Sequence, residues 1–173
     1  AGCIGLVTMM ALKAMGVSKV YVADIMEKRL QKALELGADG IINGAQTDVV
    51  EEVKKLTDGK GCDLAVETAG TEVTTVQTIH MVKKGAVIVL VGYSKSGEMT
   101  LPMSLVLDKE LTFKTVFRYR HIYPMAIEAV AAGKVNLKGI VTDIFELDEA
   151  QKAMDYSISN KADIVKAVIR IAE

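Results

Sequence analysis

Apolar positions along this chain alternate between solid runs and helical spacing. Residues 6–15 are apolar nearly all round and stop at Gly16, which predicts a buried helix with a glycine stop. Val20-Tyr21-Val22-Ala23-Asp24 is a short apolar strand ending in a carboxylate. Over residues 25–36, Met26, Leu30, Ala33, Leu34 and Leu36 recur at helical spacing with charges between, up to Gly37. Gly40-Ile41-Ile42 predicts a short strand, and Thr47-Asp48 opens an amphipathic helix with Val49, Val50, Val53 and Leu56 on one face, ending near Asp58-Gly59. A strand over residues 62–67 closes in Thr68-Ala69-Gly70. Residues 71–82 form a further helix, Lys83-Lys84-Gly85 a turn, and residues 86–91 a continuous apolar run. Such runs suit strands buried on both faces of a parallel sheet, and strands alternating with helices at this rhythm predict βαβ units. The fold class expected is a doubly wound parallel α/β sheet.

From Leu101 the rhythm changes. Residues 102–107 read as a short helix, 111–117 as a strand, and 125–132 as a helix closed by Gly133. The tail carries Ile140-Val141-Thr142, a helix over residues 148–157 and a strand over 164–171. Fewer βα units here suggest part of a second domain, with residues 1–117 as a nucleotide-binding domain and 118–173 as a segment of another.

Composition narrows the function classes. With half of its 173 residues hydrophobic and a quarter charged, the chain supports a sizeable core. A net charge of −1, with cations scattered among acids, argues against nucleic acid. No apolar run reaches the roughly 18 residues of a membrane span, and no intact signal peptide is visible. Two distant cysteines without a Cys-x-x-Cys pair favour a reduced, cytoplasmic protein and offer no structural zinc site. His80 sits inside a helix and reads as structural. His121 stands alone, and no Ser-His-Asp arrangement emerges.

The chemistry starts at the first residues. Ala1-Gly2-Cys3-Ile4-Gly5 reads as the end of a Gly-x-Gly-x-x-Gly turn whose small residues let a pyrophosphate reach the free N–H groups of a helix start. Nineteen residues after Gly5, Asp24 stands where a dinucleotide's ribose hydroxyls are caught; its charge would repel a 2′-phosphate, favouring NAD over NADP. Asp24 can also cap the following helix. Arg29, five residues on, is either a partner for a 2′-phosphate or an ordinary exposed helix arginine. Asp24, residues 67–70 and Gly92-Tyr93 all end strands, and ligands of open α/β sheets sit outside the carboxyl ends of strands; ordinary strand-ending turns would use the same residues. A dinucleotide fold needs a central strand before the glycine turn, so the chain reads as a fragment cut inside its binding loop. A gap is then expected between the strands ending at Asp24 and Glu67.

The turn Gly2-Cys3-Ile4-Gly5, the segment Thr57-Asp58-Gly59-Lys60-Gly61-Cys62-Asp63 and the tail Phe145-Glu146-Leu147-Asp148-Glu149-Ala150 resemble medium-chain dehydrogenases of the zinc alcohol dehydrogenase superfamily. Val116-Phe117-Arg118-Tyr119, followed by Pro124 and an Ala-rich helix, looks most like sorbitol and related polyol dehydrogenases. The resemblance implies a two-domain oxidoreductase that transfers hydride from a secondary alcohol to NAD. Its catalytic zinc and the zinc's ligands would lie in an N-terminal domain absent here, leaving this chain alone inactive, with no catalytic or metal residue of its own. Arg29 would lie beside the adenosine, and Thr68, Gly70, Val91, Gly92 and Tyr93 would line the crevice under the ribose and nicotinamide. Phe117 would lend backbone groups to the carboxamide, and Arg118 and Tyr119 would lie near a polyhydroxylated substrate, unless Arg118 serves a salt bridge between domains. Family members are commonly dimers or tetramers pairing along an edge strand, for which residues 111–117 are the candidate. Threonine dehydrogenase, a zinc-free quinone reductase and a non-catalytic NAD-binding module stay open as alternatives.

Overall fold

The computed structural model describes residues 1–172. They divide into two compact units: residues 1–45 together with those from 122 on, and residues 46–121.

In the first unit, α1 (Cys3–Ala14) buries Leu6, Met9 and Met10. It ends as the glycine stop predicts, with Gly16 at φ +90° and the N–H of Val17 donating to the carbonyl of Leu12. β1 (Tyr21–Asp24) pairs in parallel with β2 (Gly40–Asn43), Tyr21 opposite Gly40 and Asp24 opposite Asn43. Between them α2 (Glu27–Glu35) buries Leu30 and Ala33 and turns out through Gly37. Leu6, Met9, Met10, Val22, Leu30 and Ala33 form one core, which Val135 and Ile140 join from the later part of the chain. That later part contains α6 (Tyr123–Ala131), then β6 (Asp143–Glu146), α7 (Ala150–Ser159) and β7 (Ala167–Arg170). β6 and β7 pair in parallel, with Glu146 and Arg170 in an ion pair at 3.2 Å. Sequence reading missed β6, because only Phe145 of its four residues is buried and acids stand at both ends. Ile140 instead anchors a short 3₁₀ turn three residues earlier.

In the second unit, α3 (Val49–Leu56) starts at Asp48, whose carboxylate accepts the N–H of Val50 at 2.8 Å and of Glu51 at 3.0 Å. β3 (Cys62–Glu67), β4 (Val82–Leu90) and β5 (Thr112–Thr115) form a parallel sheet in the order β3-β4-β5. The crossovers are α4 (Glu72–Met81) and α5 (Met103–Asp108). Ala65, Ile79, Val82, Ala86, Ile88 and Val106 make the core, with Ile79 and Ile88 fully buried.

The expected turn at residues 83–85 is a bulge within β4. Cys62 pairs with Val82, but Leu64 already pairs with Val87, so Lys83, Lys84 and Gly85 loop out into solvent. The strand expected over residues 111–117 is shorter, leaving Val116 and Phe117 beyond its end. The strand ending at Asp24 pairs with β2 and the strand ending at Glu67 pairs with β4; the two belong to different sheets and are not paired with each other. The architecture is α/β with parallel sheets, of the Rossmann kind.

One lysine holds the crossover in place. The ammonium of Lys109 donates to the carbonyls of Ile79 and His80, each at 2.9 Å, and of Val82 at 2.8 Å, covering the orphan carbonyls where α4 ends. Lys109→Met should cost about 1–2 kcal/mol, read as a lower urea midpoint with an unchanged slope.

Candidate nucleotide-binding site

Two sets of groups stand at strand ends, each within its own compact unit. In the first, α1 begins from Gly2 in extended backbone (φ −71°, ψ 178°) with no side-chain cap and no acid in its first turn. The N–H of Leu6 donates to the carbonyl of Gly2 at 2.9 Å, so the preceding N–H groups of Cys3, Ile4 and Gly5 have no acceptor within the helix. Such an end is an anion seat. A Cβ added to Gly2 would meet nothing nearer than Arg29 Nη1 at 4.0 Å, so the approach to these N–H groups is open. Cys3 is half-buried against the core, Ile4 is exposed and Gly5 half-buried.

Asp24 closes β1 beside this turn. Its Oδ1 accepts the N–H of Ile25 at 2.8 Å and of Met26 at 2.9 Å, and its Oδ2 accepts the amino group of Ala1 at 2.6 Å. Burial raises its pKa, but the hydrogen bonds it accepts hold it below the ordinary carboxylate value. The carboxylate is therefore charged at neutral pH and both caps the chain's entry to α2 and faces the glycine turn. Arg29 is not an ordinary surface arginine. Its Nη2 donates to the carbonyls of Lys161 at 2.5 Å and Ile164 at 3.3 Å, and its Nε is buried without a partner.

The second set surrounds the ends of β3 and β4. Gly70 has φ +72°, and a Cβ there would lie 2.5 Å from the carbonyl oxygen of Tyr93. A Cβ on Gly92 would collide with the backbone of Gly70 and come within 2.5 Å of Glu67 Oε2. The two turns thus touch backbone to backbone, tied by the N–H groups of Val91 (2.8 Å) and Gly92 (3.0 Å) donating to the carbonyl of Glu67. Beside them lies an open cavity of about 440 Å³ lined by Gly70, Thr71, Glu72, Tyr93, Ser94 and Lys95. Tyr93 is 80% exposed over it, while Thr68 is half-buried. Phe117 is exposed, and the Arg118 guanidinium lies 5.1 Å from its ring centre in a cation–π contact. Arg118 itself takes a left-handed backbone at φ +56°, and Tyr119 is exposed next to it.

By sequence Glu67 belongs with the strand-end residues expected to face the crevice. The structure turns it inward instead: the side chain is buried and accepts from the N–H groups of Ala69 (2.8 Å) and Gly70 (3.0 Å) and the hydroxyl of Thr74 (2.8 Å). The signal was available, an acid ending an apolar strand directly before Thr-Ala-Gly-Thr, where only a capping role leaves the charge satisfied. His80 and His121 are both exposed, and among the described residues no group of three His, Cys, Asp or Glu is placed to hold a metal ion.

The family model described as zinc-binding dehydrogenase matches residues 3–132. The chain belongs to the zinc-binding dehydrogenase family. It is 40% identical over 173 residues, its full length, to the zinc-type alcohol dehydrogenase-like protein YdjJ of Escherichia coli K12, covering 49% of that protein. It is 34% identical over 168 residues to sorbitol dehydrogenase of Bacillus subtilis, 97% of this chain and 48% of the relative. An E. coli oxidoreductase/dehydrogenase of unknown specificity shares its structure with a TM-score of 0.93 at 40% identity, covering 99% of this chain and 49% of that one. Two dehydrogenases of solved structure, each at 26% identity and covering 98% of this chain and 50% of their own, carry different cofactors: NADH in one from E. coli CFT073 (TM-score 0.89) and NADP in one from Sinorhizobium meliloti (TM-score 0.88). This zinc-binding dehydrogenase chain spans about half the length of the relatives it matches.

Proposed function

We propose that residues 1–173 are the NAD-binding part of a zinc-dependent polyol (sorbitol-like) dehydrogenase. The observation that carries this reading is the uncapped start of α1 at Gly2, with the charged Asp24 carboxylate beside it at the end of the next strand. Pyrophosphate oxygens suit the free N–H groups of residues 3–5, and ribose hydroxyls suit a carboxylate, which disfavours a 2′-phosphate. Arg29 Nη1 points toward the same turn, while its Nη2 is committed to main-chain carbonyls, an arrangement that supports a place beside the adenosine.

In this reading Thr68, Gly70, Val91, Gly92 and Tyr93 flank the ribose and nicotinamide. Phe117 offers backbone groups to the carboxamide, and Arg118 with Tyr119 meets the hydroxyls of a polyol or secondary alcohol. Directed donors discriminate hydroxylated substrates better than apolar contacts do. NAD, when bound, supplies the hydride acceptor; the chain supplies orientation. The family reading assigns the zinc ligands to residues outside this chain, which spans about half the length of the relatives it matches. The same reading assigns residues 1–117 to the nucleotide domain and 118–173 to the segment returning toward the catalytic domain. It further assigns a cytoplasmic location and a dimer or tetramer paired along β5.

Calorimetric titration of this chain with NAD and with NADP tests the reading. NAD should bind and NADP much more weakly; Asp24→Ala should weaken NAD about 30-fold, the equivalent of about 2 kcal/mol of lost hydrogen bonds. Equal binding of the two cofactors, or an unchanged NAD affinity in the variant, would remove Asp24 from the site.

A further inference from the structure

We infer that the second unit carries a separate site for a compact polyanion of the phosphate or polyphosphate type, in the lysine-lined cavity between the Gly59–Gly61 loop and the bulge of β4. The cavity has a volume of about 240 Å³ and is walled by Lys54, Lys60, His80, Lys83, Lys84 and Lys109. It opens at the amino ends of β3 and β4, whereas the turns at Gly70 and Gly92 lie at their carboxyl ends. Across a six-residue strand the two ends are roughly 17–20 Å apart.

The positive charge there is built in by the backbone. The bulge sends Lys83 and Lys84 out together where a regular strand would alternate them. On the opposite wall Gly61, at φ +85°, packs so tightly that a Cβ would lie 2.7 Å from the carbonyl of Met81 and 2.8 Å from the nitrogen of Lys83. Lys60 is thereby fixed next to the bulge. Lys109 has its ammonium spent on three carbonyls, so it contributes charge to the cavity but no hydrogen-bond donor. Burial, and then the charge of Lys54, push its pKa down.

Acids cancel only part of this cluster. Lys54 is paired with Glu51 at 2.8 Å, and Lys83 with Asp63. Among the described residues Lys60 and Lys84 make no ion pair, and no acid lines the cavity. A chain whose net charge is only −1 therefore gathers five lysines and one of its two histidines around one small cavity. A multiply charged anion seated between Lys60 and Lys84, with His80 on the rim, relieves that repulsion. An apolar or singly charged ligand relieves little of it.

The two histidines make the test direct, because His80 lines the cavity and His121 does not. In the full chain at low ionic strength, proton NMR is used to follow both imidazoles during titration with inorganic pyrophosphate; a His121→Gln variant assigns the signals. The His80 signals should move saturably at millimolar pyrophosphate while those of His121 stay still. Raising the salt should weaken the effect, and saturating NAD should leave it intact. Lys60→Gln with Lys84→Gln should weaken binding by about tenfold or more, since both unpaired ammonium donors are lost, with an unchanged circular dichroism spectrum. If the double variant misfolds, the two single variants carry the comparison. A His80 signal that does not move, equal movement of His121, displacement by NAD, or an unaltered affinity in the lysine variants would each overturn the proposal.

Discussion

Gly92→Ala is expected to destabilise the second unit by on the order of 3–5 kcal/mol, because the added methyl has nowhere to go. It would press into the backbone of Gly70, which cannot yield, and against the buried Glu67 carboxylate, which is held by the N–H groups of Ala69 and Gly70 and the hydroxyl of Thr74. Thermal unfolding followed by circular dichroism should show a midpoint lower by about 10 °C or more, and NAD binding should weaken with it. Gly16→Ala provides the contrast. Gly16, unlike Gly92, is left-handed, at φ +90°, but nothing lies within 4 Å of its added Cβ, so only the backbone penalty of about 1 kcal/mol applies. Similar losses in both variants would mean that the contact between the two turns is not what makes Gly92 necessary.

Glu67→Leu is expected to cost about 3 kcal/mol. Leucine fills the space of the buried side chain but leaves the N–H groups of Ala69 and Gly70 and the hydroxyl of Thr74 without their acceptor. Glu67→Gln keeps one acceptor oxygen and turns an amide N–H toward a donor, so its cost should be about 1–2 kcal/mol. Urea denaturation ranks the two variants. Amide exchange at Ala69 and Gly70 should accelerate far more than exchange in β5, which lies at the other edge of the same sheet. An effect spread evenly over the sheet would point to lost core packing and away from a cap on the turn.

These two residues show how differently the positions of one site can be read. Gly92 is visible as a glycine after an apolar run, and the general behaviour of α/β sheets is enough to make it a candidate for the ligand crevice. That its hydrogen faces Gly70 is not visible, because the contact joins residues 22 apart in sequence and depends on β3 and β4 being neighbours. Glu67 misled for a related reason. A charge at a strand end looks like a group offered to solvent or ligand, and only the fold of the following turn shows three donors converging on it. Lys83-Lys84-Gly85 likewise has the composition of a turn. Its position inside β4 is set by Val82 pairing back to Cys62, which no local pattern encodes.

Local chemistry determined much of this protein. Runs of apolar residues separated by amphipathic stretches fixed the alternating strands and helices, since those periods follow from the geometry of each element alone. Glycines at 16 and 37 set helix ends because few other residues adopt a left-handed backbone cheaply. The glycine turn with Asp24 behind it stood out as a candidate site because its spacing lies within one helix and the strand after it. The tertiary structure alone decided the rest: that residues after 122 share a core with α1 and α2, that Arg29 reaches the carbonyls of Lys161 and Ile164, and that five lysines surround one cavity. Each of these joins residues remote in sequence, and such contacts form only where packing, not spacing, brings the side chains together.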